Sequence, residues 1–233
     1  MQENKISILS TRPLKDEWVA EAKEAGIIID QLSFIDTEPI QTIEVQQEIE
    51  QALLLSATVV FTSMNAVEAV ATWQNGLQPD WSIYCMGNTT RQLVKEYFGE
   101  ESIAGTASSA TELAELMAEE DQPEEVIFFC GDQRRDELPA ILRNNDIDVN
   151  EIVVYQTIPV YHKIEKKYAG ILFFSPSAVT SFFKTNKLTG QTILFAIGNT
   201  TATAIKKYTS NKIIVSDEPA KESMVRQVME FFS

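Results

Sequence analysis

The sequence predicts an α/β protein of two similar domains, each a parallel sheet covered by helices. Three observations carry this. Short apolar runs alternate with helix-length stretches from one end of the chain to the other. The strand-like runs are apolar at successive residues, not every second one, as in sheets buried on both faces. The chain also resembles itself, since stretches of its first half recur in its second. Its 233 residues suit one large domain or two of about a hundred residues, each able to bury a core.

In order, residues 6–9 read as the first strand. Over 14–25, Leu14, Trp18, Ala22 and Ala25 fall at helical spacing, and Gly26 supplies the stop. Residues 27–34 are extended, and Val45, Ile49, Ala52 and Leu53 define the next helical face. A strand over 58–62 precedes a helix over 65–73, and a strand over 83–86 precedes a helix over 90–98. A short strand at 103–104 leads to a helix around Leu113, Leu116 and Met117. Then come a strand at 126–130, a helix at 134–144 and a strand at 152–155. The last third repeats the pattern: strands at 171–174, 193–197 and 212–215, helices at 179–184, 201–208 and 222–232.

Residues 6–40 align without a gap to 126–160, sharing Asp16/Asp136, Glu17/Glu137, Ala20/Ala140, Ile27/Ile147, Thr37/Thr157 and Pro39/Pro159. VVFTSMNAV from Val59 parallels ILFFSPSAV from Ile171, and Gly87-Asn-Thr-Thr90 recurs as Gly198-Asn-Thr-Thr201. Each domain needs one copy of each repeat type to complete a sheet. The copies pair either in tandem or interleaved, and periodicity does not choose between these.

Composition removes several function classes. Lys and Arg number 19 against 34 Asp and Glu, a net charge of −15. That balance argues against a general nucleic-acid or anionic-membrane surface. With one histidine, His162, and two cysteines, Cys85 and Cys130, a Cys/His zinc site is nearly excluded. His162 sits in a connector and reads as a bystander; both cysteines lie in apolar runs and read as buried, reduced thiols. Neither a Walker sequence nor a strand followed by GxGxxG occurs, which disfavours nucleotides. Residues 1–6 run straight into a strand without signal-peptide features, and no run of about 18 apolar residues exists, so a cytoplasmic location is expected.

In parallel α/β sheets, ligands bind beyond the carboxyl ends of the strands, against helix N-termini that favour anions. Those positions carry Thr62, Ser63 and Asn65; Asn88, Thr89 and Thr90; Ser109; Ser175 and Ser177; and Asn199, Thr200 and Thr201. Ser, Thr and Asn are also the preferred helix caps. What favours a site is that the same chemistry recurs in both halves and exceeds what capping needs. Two such rims facing each other would line a cleft for a carboxylate or phosphate ligand. Arg12, directly after the first strand, offers a guanidinium fork at the rim. Arg134 and Arg135 open a helix against its dipole, which hints at a nearby anion, with a solvated surface as the competing reading. Tyr155 ends a strand at a junction and reads either as a core aromatic or as a phenol that can donate a hydrogen bond to a ligand.

Taken together, FTSMNAV at 61–67, Arg134-Arg-Asp-Glu-Leu-Pro139, VVYQT at 153–157, FFSPSAV at 173–179, AIGNTTATAI at 196–205 and Thr11-Arg12-Pro13 resemble the uroporphyrinogen-III synthases. The resemblance implies two flavodoxin-like domains interleaved in sequence: 1–37 with 159–233, and 38–158, joined by a two-strand hinge around an active-site cleft. It implies cyclisation of hydroxymethylbilane, a linear tetrapyrrole with eight carboxylates. Loss of the terminal hydroxyl gives an azafulvenium cation, ring D attacks through its substituted carbon, and a spiro intermediate rearranges to uroporphyrinogen III and water. No cofactor or metal is implied, and a monomer is the default expectation. Tyr155 matches the family tyrosine proposed to assist hydroxyl loss, and Ser63, Ser175, Thr200 and Thr201 match hydroxyls that line the family's cleft. Met64, Asn65 and Asn199 depart from the family pattern. The competing reading is a non-catalytic, hinged binding module for an anionic small molecule.

Overall fold

The structure, a computed structural model, describes residues 6–120, 122–188 and 190–233. The first five residues, part of the stretch read for a targeting signal, lie outside the described residues. The elements in chain order are β1 (Ile6–Ser10), α1 (Asp16–Glu24), β2 (Ile27–Gln31), β3 (Ile35–Pro39), α2 (Ile43–Leu53), β4 (Ala57–Phe61) and α3 (Met64–Ala71). They continue with β5 (Trp81–Met86), α4 (Asn88–Phe98), β6 (Ile103–Ala107), α5 (Ala110–Glu120), β7 (Glu125–Gly131), α6 (Glu137–Asn144) and β8 (Asp148–Pro159). The last third holds β9 (Gly170–Phe173), α7 (Pro176–Thr185), β10 (Ile193–Ala196), α8 (Asn199–Lys206), β11 (Ile213–Val215) and α9 (Lys221–Phe232). Each expected strand and helix is present within a few residues. β3 was not among the strands that periodicity predicts: of IDTEP only Ile35 is buried, so the segment has no apolar run to announce it.

The chain folds as two compact units, Met1–Asp36 with Ile158–Ser233, and Thr37–Thr157. β3 and β8 run through the two boundaries.

In the discontinuous unit the sheet order is β11-β10-β9-β1-β2, and its neighbouring strands are parallel. Strand alternation explains the continuous apolar runs. Leu9, Ile171, Phe173, Leu194 and Ala196 pack on one face with Ala178, Val179 and Phe182 of α7 and Ala202, Ala204 and Ile205 of α8. Their chain neighbours Ile8, Leu172 and Phe195 pack on the other face with Ala22 of α1 and Met224, Val225 and Val228 of α9. Both faces are covered, so both sets of side chains must be apolar.

In the continuous unit the order is β3-β8-β7-β4-β5-β6, with β8 through β6 parallel. Val59, Phe61, Ile83, Cys85, Ile127 and Phe129 meet α2, α3 and α4. Val60, Tyr84, Val126, Phe128 and Cys130 meet α5 and α6. Taken as β7, β8, β4, β5, β6, this sheet matches β1, β2, β9, β10, β11 strand for strand, and both then have the order 2-1-3-4-5 of a doubly wound sheet. The internal repeat thus corresponds to real elements, with the two halves of the motif in opposite chain order in the two units.

Cys85 and Cys130 are free and buried, and burial pushes both thiols up to about 11. At pH 8 the thiolate fraction is then about 10⁻³. The native protein should therefore resist a chromogenic thiol reagent at pH 8, and both cysteines should react once the chain is unfolded. Rapid stoichiometric labelling of the native chain would contradict this burial.

Candidate functional site

The strand order reverses between β1 and β9 in one unit and between β7 and β4 in the other. At these switch points the carboxyl ends of the strands leave a crevice flanked by helix N-termini. The sequence-expected residues lie along these edges, each in its own unit.

In the discontinuous unit, Thr11 follows β1 and donates from Oγ1 to the Leu172 carbonyl at 2.7 Å. Ser10 Oγ donates to the Arg12 carbonyl at 2.5 Å. These bonds pin the backbone that presents Arg12. Ser175 is the N-cap of α7, its Oγ accepting from Ala178 N at 3.2 Å and lying 3.0 Å from Ser177 Oγ. Asn199 and Thr200 are exposed at the start of α8 and, with Pro176, line a hollow of 470 Å³.

In the continuous unit, Ser63 caps α3 by accepting from Asn65 N at 3.2 Å. A capping oxygen accepts, so its O–H proton remains free to donate. Thr62 and Asn65 are half-buried beside it, while Asn88 and Thr89 are exposed at the start of α4. The N-caps of α4 and α8 are glycines, Gly87 and Gly198, with no side-chain cap. A glycine cap brings no acceptor, so the leading N–H groups stay open to an anion at the same place in each unit.

Tyr155 owes its aim to an irregularity. Along β7 and β8 the register steps from Cys130↔Val153 to Gly131↔Tyr155, leaving Val154 as the extra residue of a bulge. Strict alternation would put Tyr155 on the side of Val153. Instead Ile152, Val154 and Tyr155 all pack against the same core. The ring crosses Gly131, where an added Cβ would lie 2.6 Å from Cε2 and 2.8 Å from the hydroxyl oxygen. The strand continues past the bulge because Asp132 N donates to the Tyr155 carbonyl at 3.1 Å and Thr157 N donates to Asp132 Oδ1 at 2.8 Å.

At three places the expected residues are buried or already have partners within the chain. The anion that Arg134 hints at belongs to the chain: Glu151 of β8 pairs with Arg134, and Asp136 sits 3.0 Å from it. Burial alone would depress the guanidinium, but these carboxylates hold it above its ordinary value. Glu151 also meets Arg143 at 2.6 Å, and α6 begins only at Glu137, after both arginines. Thr90 and Thr201, the third residue of each helix, turn inward and are only 5% and 2% exposed. Ser109 Oγ already accepts from Glu112 N, and the Glu112 carboxylate is held there by Ser108. That fixed negative charge, kept below the usual carboxylate range by the Ser108 bonds, opposes a second anion at α5.

His162 is structural: Nε2 lies 2.9 Å from the Ser33 carbonyl, and the ring meets Phe34 edge-on. Sequence reading missed Lys221, whose ammonium donates to the Pro13 carbonyl at 3.0 Å. A lysine opening a helix, against its dipole, was the available signal. Among the described residues no cluster of His, Cys, Asp or Glu could hold a metal ion, and no helix is long and apolar enough to cross a membrane.

Comparison with known proteins adds a family and a fold. The family profile for uroporphyrinogen-III synthase HemD matches residues 16–226. The crystal structure of a uroporphyrinogen-III synthetase from Helicobacter pylori is similar over 97% of this chain and 99% of its own, at a TM-score of 0.65 and 16% identity. A mutant uroporphyrinogen III synthase from Thermus thermophilus is similar over 97% and 98%, at 0.57 and 15% identity.

Proposed function

The chain belongs to the uroporphyrinogen-III synthase family, cyclising lyases of tetrapyrrole biosynthesis, and from that premise we propose that Tyr155 assists hydroxyl loss from hydroxymethylbilane while the carboxyl-edge rims hold its carboxylates. The observation that carries the role of Tyr155 is the bulge that swings its ring over Gly131 at the switch-point edge of β7. The phenol gives a hydrogen bond to the departing oxygen, which leaves as water with the phenol's proton. The proton released when the last ring regains aromaticity restores the phenol. The elimination and ring closure transfer no net electrons, so the reaction calls for no redox group.

The rest of the work is geometric. The bilane ends must meet with ring D presented through its substituted carbon, which binding in one conformation supplies. Carboxylate contacts come from the open N–H groups of α4 and α8 and from Thr62, Ser63, Asn65, Asn88, Thr89, Ser175, Ser177, Asn199 and Thr200, with Arg12 adding charge. Arg134 instead braces β8 through Glu151. Two free buried thiols suit a reducing compartment such as the cytoplasm, where we place the enzyme, as a monomer.

Freshly generated hydroxymethylbilane tests this when the product isomers are resolved. Uncatalysed closure gives isomer I, so added protein should divert the product to isomer III. An isomer I outcome that the protein leaves unchanged overturns the reading and leaves a binding module.

A further inference from the structure

Lys221 and Arg12 are neighbouring cations that take part in no ion pair among the described residues, in a chain that carries 34 acidic residues. Lys221 is the first residue of α9, and its ammonium donates to the Pro13 carbonyl, which holds it beside the Arg12 turn. It also lies 5.9 Å from the centre of the Phe174 ring, immediately before the cap Ser175. Arg12 Nε is buried and finds no hydrogen-bond partner among the described residues. Eight ion pairs occur among those residues and neither cation takes part in one. Burial, and then the Arg12 charge, pull the Lys221 ammonium below its ordinary value. Two like charges held together and partly desolvated are unfavourable unless an anion completes them.

We propose that Lys221 and Arg12 together bind one carboxylate of the tetrapyrrole at the carboxyl end of β1, with Lys221 a substrate-binding residue of this chain. The inference rests on the reading of the substrate given above. An ammonium beside a guanidinium suits a carboxylate, which accepts from both at once. The ammonium lies over the ring of Phe174, the residue next to Ser175 and close to Ser177 on the same edge.

The test compares Lys221→Gln with Lys221→Arg and with Lys212→Gln, a cation at the opposite end of the same sheet. Fluorescence titration with uroporphyrin III, which keeps the eight carboxylates, reads binding without turnover. Lys221→Gln should weaken binding about threefold to tenfold. Its affinity should also fall less steeply with added salt than that of the wild type, because one screened charge contact is gone. Lys221→Arg should restore most of the affinity, and Lys212→Gln should match wild type. An unchanged affinity and salt slope in Lys221→Gln would overturn the inference. Should the wild type bind uroporphyrin but fail to form isomer III, the proposed reaction falls while the titration still decides the carboxylate site.

Discussion

Tyr155→Phe is expected to lower kcat by about 10²-fold while KM stays within about twofold of wild type. The phenylalanine keeps the ring that packs over Gly131 and against the core, so the fold and the rims are undisturbed. In the proposed role, only the hydrogen bond to the leaving oxygen is removed. The loss should therefore fall on the step in which charge develops, not on ground-state binding. Steady-state kinetics on freshly generated hydroxymethylbilane reads this directly. An unchanged kcat would remove Tyr155 from the chemistry, and a large rise in KM with kcat intact would make it a binding residue.

Gly131→Ala should produce a comparable loss of activity by a different route. The backbone at Gly131 lies outside the left-handed region, so alanine adds no local strain there. The new methyl would instead enter the Tyr155 ring, leaving the tyrosine to move or the strands to part. Overpacking of this kind costs about 1–3 kcal/mol of stability. The activity should drop by at least tenfold, because a displaced hydroxyl no longer meets the leaving group. A double-mutant cycle separates the causes. Gly131→Ala in a Tyr155→Ala background should cost far less stability than in the wild type, since the clash has no partner. Equal costs in both backgrounds would show that Gly131 matters for some reason other than the ring.

These two residues also mark where sequence reading stopped. Tyr155 was legible as a strand-end phenol, but its aim was not, because the bulge depends on how β8 registers against β7. Strands buried on both faces were readable because chain neighbours such as Ile8 and Leu9 each meet a different helical layer. β3 was not readable, since its pairing comes from backbone next to β8 and not from an apolar pattern. At the rims, residue type located the helix starts at Ser63, Ser175, Asn88 and Asn199 correctly. It did not tell rim from core for Thr90 and Thr201, which a rotation of one helical step separates from Thr89 and Thr200. The charge of Arg134 was read as a call for a ligand because its partner Glu151 lies on another element. The opposite error hid Lys221, which comes together with Pro13 across 208 positions of chain. The net charge of −15 describes outer faces and did not forbid a local cationic pair at one sheet edge.

The most direct test of the account is a single-turnover experiment with enzyme in excess over hydroxymethylbilane, comparing wild type with Tyr155→Phe and resolving the product isomers. If Tyr155 acts on departure of the hydroxyl and the rims dictate which carbon closes, the variant forms product about 10²-fold more slowly, yet its enzyme-bound product is still isomer III. A variant that closes the bilane at the wild-type rate, or one whose bound product becomes isomer I, contradicts that division of labour.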